Sequence, residues 1–243
     1  GLTIIGATDN NSSSAAYAGA VQGDTPLAYY RLGESTGTTA ADSSGNGLNG
    51  AYSASGVTLG SAGVLPSDPD AAASFNGATG YVTLPAGFAD LTRGFTFEAW
   101  VYPTSSASYQ RFFDLGNGNL WLGYQGNSYL YFGSGSGSIY TASYNALTPN
   151  QWQHLAVTLD GAGNAVIYRD GQPIASGNVG VPGNITRTQN YLAKGSNGSP
   201  FAGSMDEVAI YDKALSPAQL QRHYDFATAR GTPGCTGDGN LHR

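Results

Sequence analysis

Charge is scarce in this chain. Asp, Glu, Lys and Arg together make up 11% of its 243 residues, against ~25% in an average soluble domain. Only three residues are glutamate (Glu34, Glu98 and Glu207), three are histidine and one, Cys235, is cysteine. A single cysteine excludes an internal disulfide, so the fold rests on packing. The ten Lys and Arg are scattered and the net charge is −6. That excludes a nucleic-acid partner, whose phosphates need an electropositive footprint, and it disfavours anionic membrane surfaces. No apolar run reaches the ~20 residues of a spanning helix, so membrane insertion is not expected. The N-terminus lacks the charged start and apolar stretch of a signal peptide, and the chain reads as a mature form or an excised fragment. Leu, Glu, Lys and Arg are too few for a helical bundle.

What is abundant is glycine (36) and tyrosine (16), with hydrophobic residues at 40%. That profile suits many short strands joined by tight turns. Low cysteine, an acid pI and crowded Ser, Thr, Asn and Gly are a mix common in secreted bacterial surface proteins. The segment LAYYRLG (27–33) alternates as a half-buried strand does. GFTFEAWVYP (94–103) carries aromatics on both faces, which predicts a central strand covered on both sides. RFFDLG, LWLGYQG and YLYFGSG follow as antiparallel strands with glycine turns. QWQHLAVTLDGAGNAVIYRDGQPIASG (151–177) reads as a hairpin with a further tight turn at Asp170-Gly171. SPAQLQRHYDFA (216–227) is the one good helix signal, with Ser216 as its cap and Pro217 in its first turn.

These elements predict an all-β chain: a two-sheet antiparallel β-sandwich or jelly roll with one short C-terminal helix. Residues 1–23 read as an N-terminal arm, with an edge strand or short helix near Tyr17–Val21. Residues 24–229 form the sandwich domain, and 230–243 a flexible tail.

LAYYRLGE with TTAADSSGNGLNGAY, FTFEAWVYP, QWQHLAVTLDGAGNAVIYRDGQPIASG and FAGSMDEVAIYDKALSPAQLQRHY occur in that order. Together they resemble the laminin-G-like, concanavalin A-like jelly-roll domains of bacterial extracellular and phage tail proteins, over about residues 17–224. The resemblance implies a fold shared by lectin modules, adhesion domains and glycanases, so it does not name a ligand.

The glycine-rich stretch 40–52 poses a choice. Asp42, Asn46 or Asn49 and freed carbonyls supply the oxygens that Ca²⁺ prefers. A second carboxylate is needed. The resemblance implies that the Asp of the Asp206-Glu207 pair on the last core strand faces this loop. Adjacent strand residues point to opposite faces, so Asp206 alone is expected to reach the metal. Asp24 is a third candidate. The expected site is thus a structural Ca²⁺ held by Asp42, Asn46, Asn49, Asp206 and Asp24; the alternative is a turn capped by Asp42.

Glycanases of this fold resemble one another in a strand bearing two Glu and an Asp at alternate positions, and no stretch here has that pattern. Glu98 stands alone among aromatics and reads as a buried hydrogen-bonding group. His154, His223 and His242 do not cluster in sequence. No catalytic residue is assigned. Segment 105–145 is rich in tyrosine and tryptophan, from which Tyr109, Tyr124 and Tyr144, beside loops, and Arg111 are the expected ligand-binding residues. The expectation is a non-enzymatic, extracellular recognition module for a cell-surface glycan or protein. The rival is an assembly subunit of a surface layer, filament or phage tail, linked through its terminal arms or Cys235. A degenerate glycanase ranks last.

Overall fold

A computed structural model describes residues 12–65, 70–125, 128–196 and 199–228. The outer parts of both arms, with Cys235, lie outside the described residues. The strands form two antiparallel sheets, as the alternation predicts. In the eight-stranded sheet the order is Gln172–Asn178, Asn164–Arg169, Gln153–Asp160, Gly94–Pro103, Ala202–Tyr211, Ala72–Asn76 and Val57–Ser61. Ala28–Tyr30 adds to the C-terminal half of Ala202–Tyr211. The nine-stranded sheet runs Gly137–Tyr140, Tyr129–Ser134, Leu120–Gln125, Gln110–Leu115, Asn190–Leu192, Val82–Leu84, Gly50–Tyr52 and Thr39–Ala40. Ser199–Pro200 pairs in parallel with Gln110–Leu115.

The core between the sheets follows from period two. Phe95, Phe97, Ala99 and Val101 point inward from the central strand and meet Phe112, Phe113, Leu122 and Phe132 of the other sheet. Phe97 and Phe113 pack with centroids 4.4 Å apart. Trp100, on the opposite face of the same strand, belongs to a second apolar cluster with Ala156, Tyr168, Ala209 and Tyr211. Two helices, Ser12–Gly23 and Pro217–Thr228, cover that face through Tyr17, Val21, Leu220 and Ala227. The C-terminal helix has the expected start: Ser216 and Gln219 form a reciprocal capping box. The N-terminal helix lies in the segment read as an arm, and its Tyr17 and Val21 are fully buried. The turn at Asp170-Gly171 has positive φ at both residues, as a two-residue hairpin turn requires.

Polar groups also hold the helix to the sheet. Glu98, buried on the central strand, accepts hydrogen bonds from Tyr211 Oη at 2.5 Å and His223 Nδ1 at 3.0 Å. His154 Nε2 lies 3.1 Å from it. The other nitrogen of His223 meets Asp24 at 3.0 Å. Both ring nitrogens face carboxylates, so both must donate and the ring is an imidazolium. Burial pushes the Glu98 carboxyl up, but the His223 charge and the two histidine hydrogen bonds outweigh it and hold it well below its ordinary value. Burial pushes His223 down, while Glu98 and Asp24 win and raise it.

These shifts set a pH window. The Glu98 contribution is present above the ordinary carboxylate pKa and is lost as pH falls through its depressed value. The His223 contribution is present below about 6.5 and is lost as pH rises through its raised value. Stability in urea is expected to fall between pH 6 and pH 9, measured as the unfolding midpoint, and His223→Gln is expected to flatten that slope while lowering stability at pH 6.

Candidate functional site

The outer face of the eight-stranded sheet is closed by helices, so the open broad face belongs to the nine-stranded sheet. Its outward residues stand in register. Arg111, Gly123, Tyr131 and Tyr140 form one row across four strands, and Asp114, Trp121, Gly133 and Ser138 form the next. The two glycines are what let the larger neighbours lie flat. A Cβ at Gly133 would come within 2.7 Å of the Trp121 indole nitrogen, and one at Gly123 within 2.9 Å of Arg111 Cδ.

The result is a layered stack. The Arg111 guanidinium sits 3.6 Å from the Trp121 ring centroid. Trp121 stacks on Tyr131 at 4.7 Å and 14°, and Tyr131 is nearly parallel to Tyr140 at 6.4 Å. Tyr129 continues the patch to Tyr144 at 4.7 Å. Tyr140 is 64% exposed, Tyr144 59% and Tyr109 51%. A flat aromatic surface offers ring faces for apolar C–H groups and tyrosine hydroxyls for oxygens.

Of the expected binding residues, Tyr144 lies in this patch and Tyr109 is exposed at the start of the Gln110–Leu115 strand. Arg111 is buried under Trp121, and its Nη1 donates to the Tyr124 carbonyl at 3.3 Å. Tyr124 does not belong to the surface: it is fully buried against Phe112 in the core. It shares parity with Leu120 and Leu122, a signal the sequence carries. The same rule puts Trp121, Tyr129, Tyr131 and Tyr140 outward, opposite Leu130, Phe132 and Ile139.

The five expected metal ligands do not converge. Asp42 accepts four hydrogen bonds at 2.9 Å, from the amides of Tyr29, Ser44 and Leu48 and the hydroxyl of Ser44. Burial pushes its carboxyl up, but these donors win and hold it below its usual range. Asn49 accepts from the Asp42 amide at 2.8 Å, and Asn46 donates to the Leu27 carbonyl at 3.0 Å. The stretch is a capped turn that fastens the first strand. Asp24 is taken by Gln219, Arg222 and His223.

Asp206 has other company. One oxygen from each of Asp70, Asp206 and Glu207 lies within 4.8 Å of the others. Asp206 and Glu207 do not face opposite ways, as adjacent strand residues are expected to, because the strand bulges there. Pairing with the central strand shifts register between Asp206 and Ala209, and Glu207 has φ of 53°. An extra residue turns both carboxyls to the helix-covered face. Asp206 Oδ2 accepts from the Val64 amide at 2.8 Å, while its buried Oδ1 has no hydrogen-bond partner among the described residues. Glu207 accepts from Tyr29 Oη and from Arg31 at 2.8 Å, and Arg31 also reaches Asp70 at 2.8 Å. Burial first, then the neighbouring Glu207 charge, raises the Asp206 carboxyl well above its ordinary value. Burial pushes Glu207 up to about 7, with Arg31 opposing.

A family profile described as concanavalin A-like lectin/glucanases superfamily matches residues 76–221, more than half of the chain. The chain belongs to this superfamily. Solved structures of similar shape include domain 4 of AbnA, a GH43 extracellular arabinanase from Geobacillus stearothermophilus, in complex with arabinotriose. It has TM-score 0.63 and 26% identity, over 84% of this chain and 98% of that one. Another comes from work on cell entry of botulinum neurotoxin type C and its interaction with two ganglioside molecules (TM-score 0.62, 16% identity, 86% of this chain). The chain spans about half the length of that neurotoxin chain, 52%. A third is a Trypanosoma rangeli sialidase, with 16% identity over 86% of this chain and 34% of the sialidase. A comparison with curated proteins finds no match. None of the described helices is long and apolar enough to cross a membrane.

The turn assignment predicts that Asp42→Ala costs about 1–3 kcal/mol, the penalty of orphaning donors. The loss, read from urea unfolding, is expected to be the same with Ca²⁺ and with EDTA; a loss confined to the Ca²⁺ sample would contradict it.

Proposed function

We propose that this protein is a non-catalytic, extracellular carbohydrate-binding module that takes glycan on the open face of its nine-stranded sheet. The observation that carries this reading is the aromatic stack Trp121–Tyr131–Tyr140 with Tyr144, half-buried at Trp121 and Tyr131 and open to solvent at Tyr140 and Tyr144, while helices seal the other sheet. The arabinotriose complex of the 26% identical arabinanase domain supports a neutral oligosaccharide as ligand, and the ganglioside interaction described for the neurotoxin supports glycan recognition on this architecture. Glu98 supports a binding role over hydrolysis, because its carboxylate is spent on His154, His223 and Tyr211 beneath the C-terminal helix. Titration calorimetry with arabinotriose and other neutral oligosaccharides is expected to show binding that Tyr140→Ala weakens about tenfold, the equivalent of ~1.4 kcal/mol. Tyr140 is largely exposed, so the variant is expected to unfold like the parent. Unchanged affinity in the variant would remove the stack from the site.

The proposal includes a structural calcium held by Asp70, Asp206 and Glu207 rather than by the Asp42 turn. Their donors are oxygens, as Ca²⁺ requires. Three carboxyls gather at the Arg31 guanidinium, and Asp206 Oδ1 lacks a hydrogen-bond donor among the described residues. Gly63 keeps the space beside them clear, since a Cβ there would lie 2.8 Å from Asp206 Oδ2. A cation bound only by the folded state raises the melting temperature by mass action. Ca²⁺ is expected to raise the melting temperature over that in EDTA, and Asp206→Asn to abolish the difference. An identical melt of the parent in Ca²⁺ and EDTA would contradict the calcium.

A further inference from the structure

A recess of about 390 Å³ opens beside the loops 53–56 and 76–81, lined among others by Ser53, Ser55, Thr79, Tyr81 and Lys194. That volume is in the range of small-ligand sites. It lies on the same sheet as the aromatic stack. Trp121 pairs with Asp114, Asp114 with Tyr191, and Tyr191 with Thr83, so the row that carries Trp121 continues to Tyr191 at the recess.

Tyr81 and Lys194 line its inner side, and Tyr191 packs against both. Tyr81 and Tyr191 meet edge to face at 5.9 Å. The Lys194 ammonium lies 4.1 Å from the Tyr81 centroid and 4.8 Å from that of Tyr191. It is held by ring faces and makes no ion pair among the described residues. The basic groups nearest in kind are otherwise committed: Arg31 and Arg222 to carboxylates, Arg187 to backbone carbonyls, Lys213 to Thr25.

The outer wall is rigid. Asn76 Oδ1 accepts the amides of Ala78, Thr79 and Gly80 at 2.9, 2.9 and 3.1 Å. Ser53 Oγ accepts from the Tyr81 amide at 3.0 Å, and Ser55 Oγ donates to Thr79 Oγ1 at 3.2 Å. Gly56 and Gly80 let the two loops touch: a Cβ at Gly80 would fall 2.0 Å from the Gly56 carbonyl oxygen. The recess therefore exists before any ligand enters, which lowers the ordering cost of binding.

We infer that this recess is a second subsite, for an anionic sugar residue. The Tyr81 ring takes the apolar face of a pyranose, the Ser and Thr hydroxyls match its hydroxyls, and Lys194 supplies a compact positive charge for a carboxylate or sulfate. In a protein of net charge −6, an anion gains nothing from the overall field, so its selection rests on this ammonium. The inference stands on the recess and not on the aromatic stack, although both place glycan on one sheet face.

The test is calorimetry on the full chain with an oligogalacturonate, a sulfated galactose oligomer and their neutral galactose counterpart, at low and high salt. At least one anionic oligomer is expected to bind tighter than the neutral one, with the advantage fading at high salt; which one does so tells carboxylate from sulfate. Lys194→Gln is expected to lower the anionic affinity about tenfold and to leave binding of neutral oligosaccharide at the stack unchanged. Tyr140→Ala should do the reverse. Equal affinity for anionic and neutral oligomers, or a preference that survives Lys194→Gln, would overturn the subsite. Loss of neutral binding would instead count against the stack.

Discussion

The buried charge cluster around Glu98 is the constraint on which the arrangement of faces depends. An ionised carboxylate at the centre of a sheet is tolerable only if donors surround it. Tyr211 comes from the neighbouring strand, His154 from the strand on the other side, and His223 from a helix that must therefore lie across them. His223 in turn demands a second anion, which Asp24 provides just past the end of the N-terminal helix. One chain of contacts thus fixes both helices on one sheet and leaves the other sheet open. Removing one member of such a cluster leaves a buried charge unpaired and is far more damaging than its net contribution suggests.

That asymmetry gives the two faces different work. The covered face holds polar groups that repel unless balanced: Glu98 among histidines, and Asp70, Asp206 and Glu207 around Arg31. The open face holds flat rings kept in register by period two and by glycines that make room for them. The stack of Arg111, Trp121, Tyr131 and Tyr140 leaves these side chains little freedom to lose on binding, which favours association with a rigid ring.

Much of this was legible in the sequence. Alternation located the central strand, glycine and Asp-Gly turns marked the hairpins, and Ser216-Pro217 announced the C-terminal helix. Tyr124 shows a legible signal misapplied: its parity with Leu120 and Leu122 assigns it to the core, however close it lies to a loop. The carboxylate trio was not legible in the same way. Asp206 and Glu207 share a face only because Glu207 takes a left-handed backbone conformation inside a strand, a cost that tertiary contacts with Tyr29 and Arg31 offset. Asp70, far away in sequence, gives no local hint of joining them. Asp42 had the composition of a metal loop and of a capped turn alike, and the Tyr29 and Leu48 amides that it accepts, which no local pattern announces, support the turn. The N-terminal segment read equally as an edge strand or a short helix near Tyr17–Val21, because its small residues carry almost no amphipathic pattern; the sheet that Tyr17 and Val21 cover fixes it as a helix.

The central claim is that the open sheet face, and not the helix-covered face, meets the ligand. The most direct measurement is an NMR titration of the isotope-labelled protein with arabinotriose, following the aromatic ring and tryptophan indole signals. The account predicts that Trp121, Tyr131, Tyr140 and Tyr144 shift with saturation while Trp100, Tyr17 and Tyr224 stay in place. Shifts confined to the helix-covered face, with the stack unmoved, would contradict it.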